Sequence, residues 1–459
     1  FKQKTAYEIS TRDWSSDVCS SDLMLARFGL PGFAGSLMLT IGAFGVGWLP
    51  LKTGIVEIVY VDALRGTMIG QLFARALIFV GVALLLQAWL ILGHDLLAGW
   101  RANTATITAI LVAWCAPLLV SPPLFSRDVY SYFAQGRVLD MDQDPYATGV
   151  AVVPGWFQDG VDPMWAETPT PYGPFFLLMS RGVANFAIDQ PALAALVFRV
   201  IALIGVALLV VYVPRLAFLH GIDPARALWL GVLNPLVIMH FVAGAHNDAL
   251  MAGLVAMGLC LAAEHRPVLG AATVALAGAV KPIALLALPF VGLLWAGVTA
   301  GWLRRIRCWL LAGVVTVVVF AAASLLAGVG WGWVNALSAP GAVRTWLSPP
   351  TALGMTIGGA LQLAGLAETS DVAVTVVRLI CSLIGLAIVA WLVLKPEGRS
   401  PVRGAALAFT AVVILGPVIQ PWYLLWFLPL FAVTGLTPRQ LRWVILLIAG
   451  LDRKSTRLN

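Results

Sequence analysis

Long apolar runs, separated by short charged or Pro/Gly-rich breaks, fill most of this 459-residue chain. Only 11% of the residues are charged, 60% are hydrophobic and the mean hydropathy is +0.91. Soluble domains carry charge on about 25% of their residues. The chain is therefore predicted to be a polytopic membrane protein, and soluble enzymes and soluble binding modules are excluded.

The apolar runs predict an all-α protein, since a crossing helix needs about 20 apolar residues. About thirteen transmembrane helices are expected. They lie at 28–49, 71–93, 105–124, 192–213, 225–243, 247–263, 267–281, 282–300, 308–329, 372–394, 403–419, 422–436 and from 441 onward. Two shorter stretches, 174–188 and 351–366, are predicted as interfacial or re-entrant helices, because counting either as a crossing would invert every later loop.

The two ends of the chain differ from its middle. Residues 1–23 are polar and lack an apolar core, so they form neither a signal peptide nor a crossing helix. Both this stretch and residues 452–459 resemble translated adapter sequence, and we expect them to be foreign. The native transmembrane domain would then span 24–451, beginning near Met24 and truncated at its C-terminus.

Basic residues predict the orientation in the membrane. With the N-terminus in the cytoplasm, most arginines, such as Arg101, Arg226 and Arg305, fall in cytoplasmic loops, and most carboxylates fall on the opposite side. Positive-inside bias explains the net charge of +7, so no nucleic-acid partner is expected. The five cysteines lie mostly in apolar runs and indicate neither disulfides nor a zinc site. The expected location is the plasma membrane, and the sequence sets no oligomeric state.

The longest external segment, 123–191, is predicted to be a catalytic loop. Its carboxylates and aromatic residues, among them Tyr130, Tyr132 and Tyr146, suit a sugar, because pyranose faces stack on rings while hydroxyls bond carboxylates. Arg127 is predicted to bind substrate together with these tyrosines. Asp128 closely follows the third predicted crossing, where partial desolvation raises the basicity of a carboxylate and suits a general base. The alternatives are an ion pair with Arg127 or a cap on the following helix.

Asp140, Asp142 and Asp144 alternate along the same loop. Such a run can bind a divalent cation through oxygen ligands, but no glutamate follows at the spacing of a calcium loop. A turn closed by Asp144-Pro145 is the alternative, and a turn that contacts sugar is favoured. No cofactor or metal ligand is predicted, and a weak divalent-metal requirement stays open.

Polar residues at the outer ends of predicted crossings form a second group of candidates. His246, Asn247 and Asp248 are consecutive in one short external turn, where ionisable residues are costly and a binding role is the default interpretation. The alternative is that Asn247 and Asp248 cap the next helix. Gln420, Trp422 and Tyr423 open the twelfth crossing and fit either a glycan or lipid site or an aromatic belt.

A third group consists of cations on the side that positive-inside bias disfavours. Together they suggest binding of a lipid-linked phosphate through charge-assisted hydrogen bonds. The group comprises Lys281, Arg75, Arg199, Arg378 and, in a second external loop, Arg344. Snorkelling of Lys281 and interhelical hydrogen bonds from single arginines are the alternatives.

Several motifs together resemble a known family. They lie at 126–138, 144–149, 243–254, 280–289 and 420–429. In this order they resemble the polyprenol-phosphomannose-dependent alpha-1,6-mannosyltransferases of the actinobacterial cell envelope, MptB type, which are GT-C fold glycosyltransferases. The resemblance extends over essentially all of 24–451.

The resemblance implies an inverting transfer of mannose from polyprenyl phosphomannose to a mannan or lipomannan acceptor in an alpha-1,6 linkage. It also implies that Asp128 is the catalytic carboxylate, whereas Asp140 and Asp142 match no family site. A related enzyme for lipid-linked arabinose or glucose, a lipid-sugar transporter or flippase, and an inactive scaffold subunit are the alternatives. The expected partners are the donor lipid, the glycolipid acceptor and the bilayer.

Overall fold

The computed structural model describes residues 25–51, 53–336, 344–366 and 369–455. The predicted foreign stretch 1–23 and the end of 452–459 lie outside this part. Every regular element within the described residues is helical, which confirms the predicted all-α class. The α-helices are α1 Leu30–Val46, α2 Val59–Gly66, α3 Met68–Leu97, α4 Thr104–Cys115, α5 Asp128–Asp140, α6 Pro174–Ala187, α7 Pro191–Leu219, α8 Pro224–Gly231, α9 Asp248–Ala263, α10 Pro267–Val280, α11 Leu288–Ala296, α12 Trp302–Ala327, α13 Trp333–Ala336, α14 Pro349–Leu363, α15 Ser370–Leu394, α16 Pro401–Leu415, α17 Leu428–Thr434 and α18 Pro438–Ser455.

Five helices of the described chain are long and apolar enough to cross a bilayer, so the protein is a multi-pass membrane protein. They are Ala26–Val46, Met68–Leu97, Pro191–Leu219, Trp302–Ala327 and Ser370–Leu394. A sixth crossing results if Val237–Ala243 and α9, bent by 111°, form one span. The other predicted crossings coincide with shorter or broken apolar helices, and the count of about thirteen stays a prediction.

Two of the broken segments begin at a proline and share one design. Pro282–Ala287 and Pro421–Trp426 are short 3-10 helices, followed by α11 and α17 respectively. Proline suits the first position of a helix because its missing N–H has no intrahelical acceptor there. The residue before each proline, Lys281 or Gln420, has an extended backbone, which is the conformation that a following proline favours.

The predicted crossing 225–243 is divided in two. The α8 helix ends at Gly231, and a π-helix covers Val237–Ala243. Between them, the Asn234 side chain donates to the carbonyl of Leu230 and accepts from the N–H of Val237. The following proline, Pro235, cannot donate a backbone hydrogen bond. The side chain of Asn234 therefore replaces some of the helical hydrogen bonds that are lost at this break.

The centre of the protein is α9, which is buried on almost all sides and packs against α7 and α10. Small residues allow this close approach, since a Cβ on Gly205 or Gly253 would collide with the backbone of the facing helix. Close packing of this kind drives helix association in lipid. The arrangement fixes the start of α9, at Asp248, inside the protein.

The predicted catalytic loop is ordered around α5 and α6, which pack against each other. Gly173, immediately before α6, donates its backbone N–H to the carbonyl of Val280 at the end of α10. A side chain at Gly173 would collide with the backbone of Ala279. This contact places Tyr172 beside Lys281.

Candidate active site

Four segments of the chain bring their polar residues to one place. These are the start of α5, the turn before α9, the junction of α10 with Pro282–Ala287, and the 3-10 helix Pro421–Trp426. The polar or aromatic residues that they contribute are Asp128, His246, Asn247, Asp248, Lys281, Trp422, Tyr423 and Trp426. This set is called the Asp128–Lys281 cluster below.

Asp128 opens α5 with its side chain 19% exposed. Its backbone N–H donates to Ser126 Oγ at 3.1 Å, while its carboxylate Oδ2 lies 3.5 Å from His246 Nδ1. Arg127, at the N-cap of α5, makes no side-chain cap, and its guanidinium donates to the carbonyl of Gly160. Burial raises the pKa of Asp128 to about 6, although the charge of Lys281 partly opposes the rise. The described residues contain no ion pair between Arg127 and this carboxylate, and the N–H at the start of α5 is bonded by Ser126.

His246 is buried completely and lies flat against Trp422, with ring centroids 4.0 Å apart and ring planes at 27°. The residue before it, Ala245, has a left-handed backbone with φ of 53°. Within the described residues, neither ring nitrogen has a partner at hydrogen-bonding geometry. A buried imidazole without a protein partner is available for a ligand or a nearby carboxylate.

Asp248 and Lys281 form the buried ion pair of the cluster. Lys281 Nζ lies 2.7 Å from Asp248 Oδ1, and Trp426 Nε1 donates to the same oxygen at 2.6 Å. Three rings surround the ammonium group, with centroids 5.7, 5.5 and 5.2 Å away for Tyr172, Tyr423 and Trp426. Lys281 is therefore held inside the protein by Asp248 and cation–π contacts, which the snorkelling alternative does not describe.

Tyr132 closes the side of the cluster that faces α6 and α7. Its hydroxyl lies 3.5 Å from Asn247 Oδ1, and its ring packs edge-on against Tyr172 and Phe176. Asn247 is the residue before α9 but makes no side-chain cap. Its amide nitrogen and Asp248 Oδ2 are buried without a hydrogen-bond partner in the described part of the chain.

Two predicted sugar-binding residues, Arg127 and Tyr130, contact Trp48. Arg127 stacks over Trp48 at 4.4 Å, and Tyr130 donates its hydroxyl to the carbonyl of Trp48 at 2.7 Å. Tyr146 lies in a separate apolar cluster with Leu139 and Leu177. The structure therefore does not bring Tyr146 to the Asp128–Lys281 cluster.

Gln420 is half-buried at the N-cap of Pro421–Trp426. Trp422 and Tyr423, which follow it closely in the chain, belong to the cluster. The side chain of Gln420 makes no capping hydrogen bond to this helix.

The predicted phosphate-binding arginines have their partners outside the Asp128–Lys281 cluster. Arg199 is 2% exposed and donates to the backbone carbonyls of Leu119, Ser121, Val242 and Ala243. These bonds give it a structural role between two chain segments.

Arg75 and Arg378 lie on α3 and α15, whereas Arg344 lies in the loop before α14. Arg75 is on the exposed face of α3, 3.5 Å from Gln71 Oε1. Arg344 pairs with Asp371 at 2.9 Å, and Arg378 donates to Thr351 Oγ1 at 2.8 Å. Lys281 is the predicted phosphate ligand that the structure brings to Asp128 and Asp248.

The alternating aspartates form a closed turn. Asp140 pairs with Arg181 at 3.0 Å, and Asp144 Oδ1 accepts the backbone N–H of Tyr146. Asp142 between them has a left-handed backbone with φ of 53°. Within the described residues, no group of three or more His, Cys, Asp or Glu is placed to hold a metal ion.

Trp426, which belongs to the cluster, and Tyr172, whose ring packs beside Lys281, were not among the predicted site residues. Trp426 follows Trp422 by four positions in a predicted crossing, where a tryptophan fits an aromatic belt. Tyr172 precedes a Gly-Pro pair in the predicted catalytic loop, which indicates a turn and no more. Trp426 and Tyr172 differ from other aromatic residues of the chain only in that Trp426 contacts Lys281 and Asp248 and Tyr172 contacts Lys281.

A buried carboxylate and a buried cation among aromatic side chains, in a multi-pass helical protein, suit the class of membrane-embedded glycosyltransferases. Comparison with known proteins specifies the family. A family model described as alpha-(1->6)-mannopyranosyltransferase, N-terminal domain, matches residues 29–297, and one described as MptB C-terminal domain matches 350–451.

Individual relatives agree with the family models. Alpha-(1->6)-mannopyranosyltransferase A of Mycobacterium tuberculosis is 37% identical over 440 residues, 92% of this chain and 82% of that protein. Proteins of Corynebacterium glutamicum named alpha-(1->6)-mannopyranosyltransferase A and B are 32% and 28% identical, covering 90% and 86% of this chain and 88% and 71% of their own lengths. No solved structure matches the chain.

The chain therefore belongs to the MptA/MptB family of alpha-(1->6)-mannopyranosyltransferases, and it is an enzyme, a mannosyltransferase. The resemblance predicted from the motifs is confirmed. A mannose donor and a glycan acceptor are its substrates in general.

Proposed function

We propose that this chain is an inverting GT-C mannosyltransferase that forms alpha-1,6 linkages. The donor is a polyprenyl phosphomannose, the acceptor is a mannan or lipomannan, and the reaction takes place at the outer face of the plasma membrane. The observation that carries the proposal is the convergence of Asp128, of His246 with Asp248, and of Lys281 from three segments of the chain into one buried cluster.

Asp128 is the base in this proposal. Its carboxylate oxygen accepts the proton of the acceptor 6-hydroxyl while that oxygen attacks C1 of the donor mannose. The bond from C1 to the phosphate oxygen breaks on the opposite face, so a beta-linked donor gives an alpha-linked product. A carboxylate with a pKa of about 6 is ionised near neutral pH and is still basic enough to accept a proton.

Lys281 stabilises the phosphate that leaves. The electron pair of the broken bond goes to the phosphate oxygen, and a fixed ammonium in a water-poor site stabilises such charge strongly. Asp248 holds Lys281 in place and accounts for one of its three N–H donors. The other two donors can face the donor phosphate, and no tightly bound metal is required.

Sugar hydroxyls are natural partners for the unsatisfied groups of the cluster. Asn247 Nδ2 offers a donor and Asp248 Oδ2 an acceptor, both buried and without a protein partner in the described residues. Trp422 and Tyr172 offer ring faces and edges for the pyranose carbons. Membership of a transferase family speaks against the transporter and scaffold alternatives.

The first test replaces Asp128 by asparagine, which keeps the shape and removes the base. With membranes, labelled polyprenyl phosphomannose and a mannan acceptor, Asp128→Asn should lower kcat by about 10²- to 10⁴-fold. Asp140→Asn is the matched control, because Asp140 ends the helix that Asp128 begins and pairs with Arg181. Wild-type transfer by Asp128→Asn contradicts the assignment of the base.

Product linkage analysis with a panel of polyprenyl phosphosugars tests the substrates. Mannose in an alpha-1,6 linkage is the expected product. Efficient transfer of arabinose or glucose in place of mannose contradicts the proposed donor and leaves the base assignment intact.

A further inference from the structure

We propose that His246 is a positioning residue for Asp128: its uncharged imidazole donates a hydrogen bond from Nδ1 to Oδ2 of the carboxylate. This bond fixes the orientation in which Asp128 meets the acceptor hydroxyl. The inference rests on the proposed function, in which Asp128 is the base.

The orientation of the imidazole is the first observation. Nδ1 lies 3.5 Å from Asp128 Oδ2, and the ring is stacked at 4.0 Å on Trp422. The stacked ring cannot rotate freely, so Nδ1 stays directed at the carboxylate. A separation of 3.5 Å exceeds that of a formed hydrogen bond, and catalytic hydrogen bonds commonly shorten when substrate binds.

The protonation state of the imidazole follows from its surroundings. His246 is completely buried, and burial favours the uncharged form of the ring. An uncharged imidazole has one N–H, and the ring nitrogen nearest a carboxylate is the one that carries it. Nδ1 is thus the donor to Asp128, and Nε2 is left as an acceptor.

The backbone around both residues is held by Arg199. Its guanidinium binds the carbonyls of Leu119 and Ser121, in the segment that leads to Asp128. It also binds the carbonyls of Val242 and Ala243, in the segment that leads to His246. One buried side chain therefore sets the spacing of the two segments.

Backbone strain flanks both residues as well. Ala245, directly before His246, has φ of 53°, and Phe125, three residues before Asp128, has φ of 66°. Left-handed backbone at residues other than glycine persists only where surrounding contacts impose it, and such residues concentrate at functional sites. The bonds of Arg199 are contacts of this kind.

Three charged groups also act on Asp128. Lys281, at the end of α10, favours the ionised carboxylate, while Asp248, on α9, and Asp162, in the catalytic loop, disfavour it. A neutral donor on His246 favours the ionised form without adding charge. Loss of that donor should therefore raise the pKa of Asp128 and move the acid limb of the rate profile to higher pH.

Two substitutions of His246, by asparagine and by glutamine, test which ring nitrogen donates the hydrogen bond to Asp128. Asparagine places its amide nitrogen where Nδ1 lies, whereas glutamine places its amide nitrogen where Nε2 lies. His246→Gln should lower kcat by about 100-fold, as misplacement of a catalytic group does, with the KM for polyprenyl phosphomannose unchanged. His246→Asn should keep most of the activity and the wild-type acid limb. His220→Gln, at the end of α7, is the control for the substitution itself.

Three results would overturn the inference. The first is wild-type kcat and pH dependence in His246→Gln, and the second is an equal loss in both variants. The third is a loss expressed only as a higher KM, which describes a sugar contact. Failure of the proposed function is distinguishable, because Asp128→Asn would then remain active whatever the His246 variants do.

Discussion

Lys281 and Arg344 are cations that the sequence assigns to the same phosphate, and each pairs with one aspartate. The ion pairs have similar lengths, 2.7 Å from Lys281 to Asp248 and 2.9 Å from Arg344 to Asp371. Their exposure differs: the side chains of Lys281 and Asp248 are 14% and 1% exposed, whereas those of Arg344 and Asp371 are 51% and 75% exposed.

Burial decides which pair can act on a charge that develops during reaction. Water screens the Arg344 pair, and exposed pairs of this kind contribute little to stability. Water is largely excluded around Lys281, where three rings surround the ammonium group. An ammonium in such a place interacts strongly with a nearby phosphate. The comparison indicates that the pairing distance alone is a poor guide to function.

Among substitutions in the two ion pairs, replacement of Lys281 should have the largest effect on stability and on kcat. Lys281→Met removes the cation and leaves Asp248 buried without compensation, which destabilises by about 3–5 kcal/mol. The loss of leaving-group stabilisation should lower kcat by about 10²- to 10³-fold. Initial rates with labelled donor and thermal unfolding in detergent measure the two effects.

The double variant Lys281→Met/Asp248→Asn separates these effects. Removing both charges should restore most of the stability, because no buried carboxylate is left unpaired. Activity should stay low. Recovery of wild-type activity by the double variant would mean that Lys281 serves only to neutralise Asp248.

The next largest effect is expected in the pH dependence of kcat/KM. Asp128 must be ionised to accept a proton, and burial raises its pKa to about 6 from an ordinary value of 3.8. The rate kcat/KM should therefore fall as the pH is lowered through about 6. Lys281→Met should move this limb to higher pH, because the charge of Lys281 lowers the pKa of Asp128. Arg344→Gln should leave it in place.

A limb near pH 3.8 in the wild type would show that Asp128 is solvated during reaction. An equal movement of the limb in the Lys281 and Arg344 variants would remove the distinction between the two pairs.

Most helices were predictable from the sequence, because lipid leaves the backbone no partner outside the helix. The predicted crossings at 71–93, 192–213 and 372–394 correspond to α3, α7 and α15. The break within 225–243 was not predicted, since a run of apolar residues around Asn234 hides it. Hydropathy averages over a window and does not register a single Asn-Pro pair.

The candidate site was predictable where ionisable residues interrupt apolar runs. Asp128, His246, Asp248 and Lys281 stand out because charge near a bilayer is costly. Their pairing depends on how the helices pack, so the sequence could not show that Asp248 binds Lys281. Arg199 shows a further limit, because a buried arginine needs acceptors, and sequence alone does not distinguish backbone carbonyls from a phosphate.

The smallest effect is expected at Arg344. Arg344→Gln removes an exposed pair with Asp371, and the KM for polyprenyl phosphomannose should change by less than about 2-fold. Raising the salt concentration should change the wild type and the variant equally, since screening already weakens this pair. The measurement needs donor titrations at two ionic strengths, with Arg75→Gln as the exposed control. A large, salt-sensitive rise in KM confined to Arg344→Gln would place the donor phosphate across both cations, and burial would then no longer separate them.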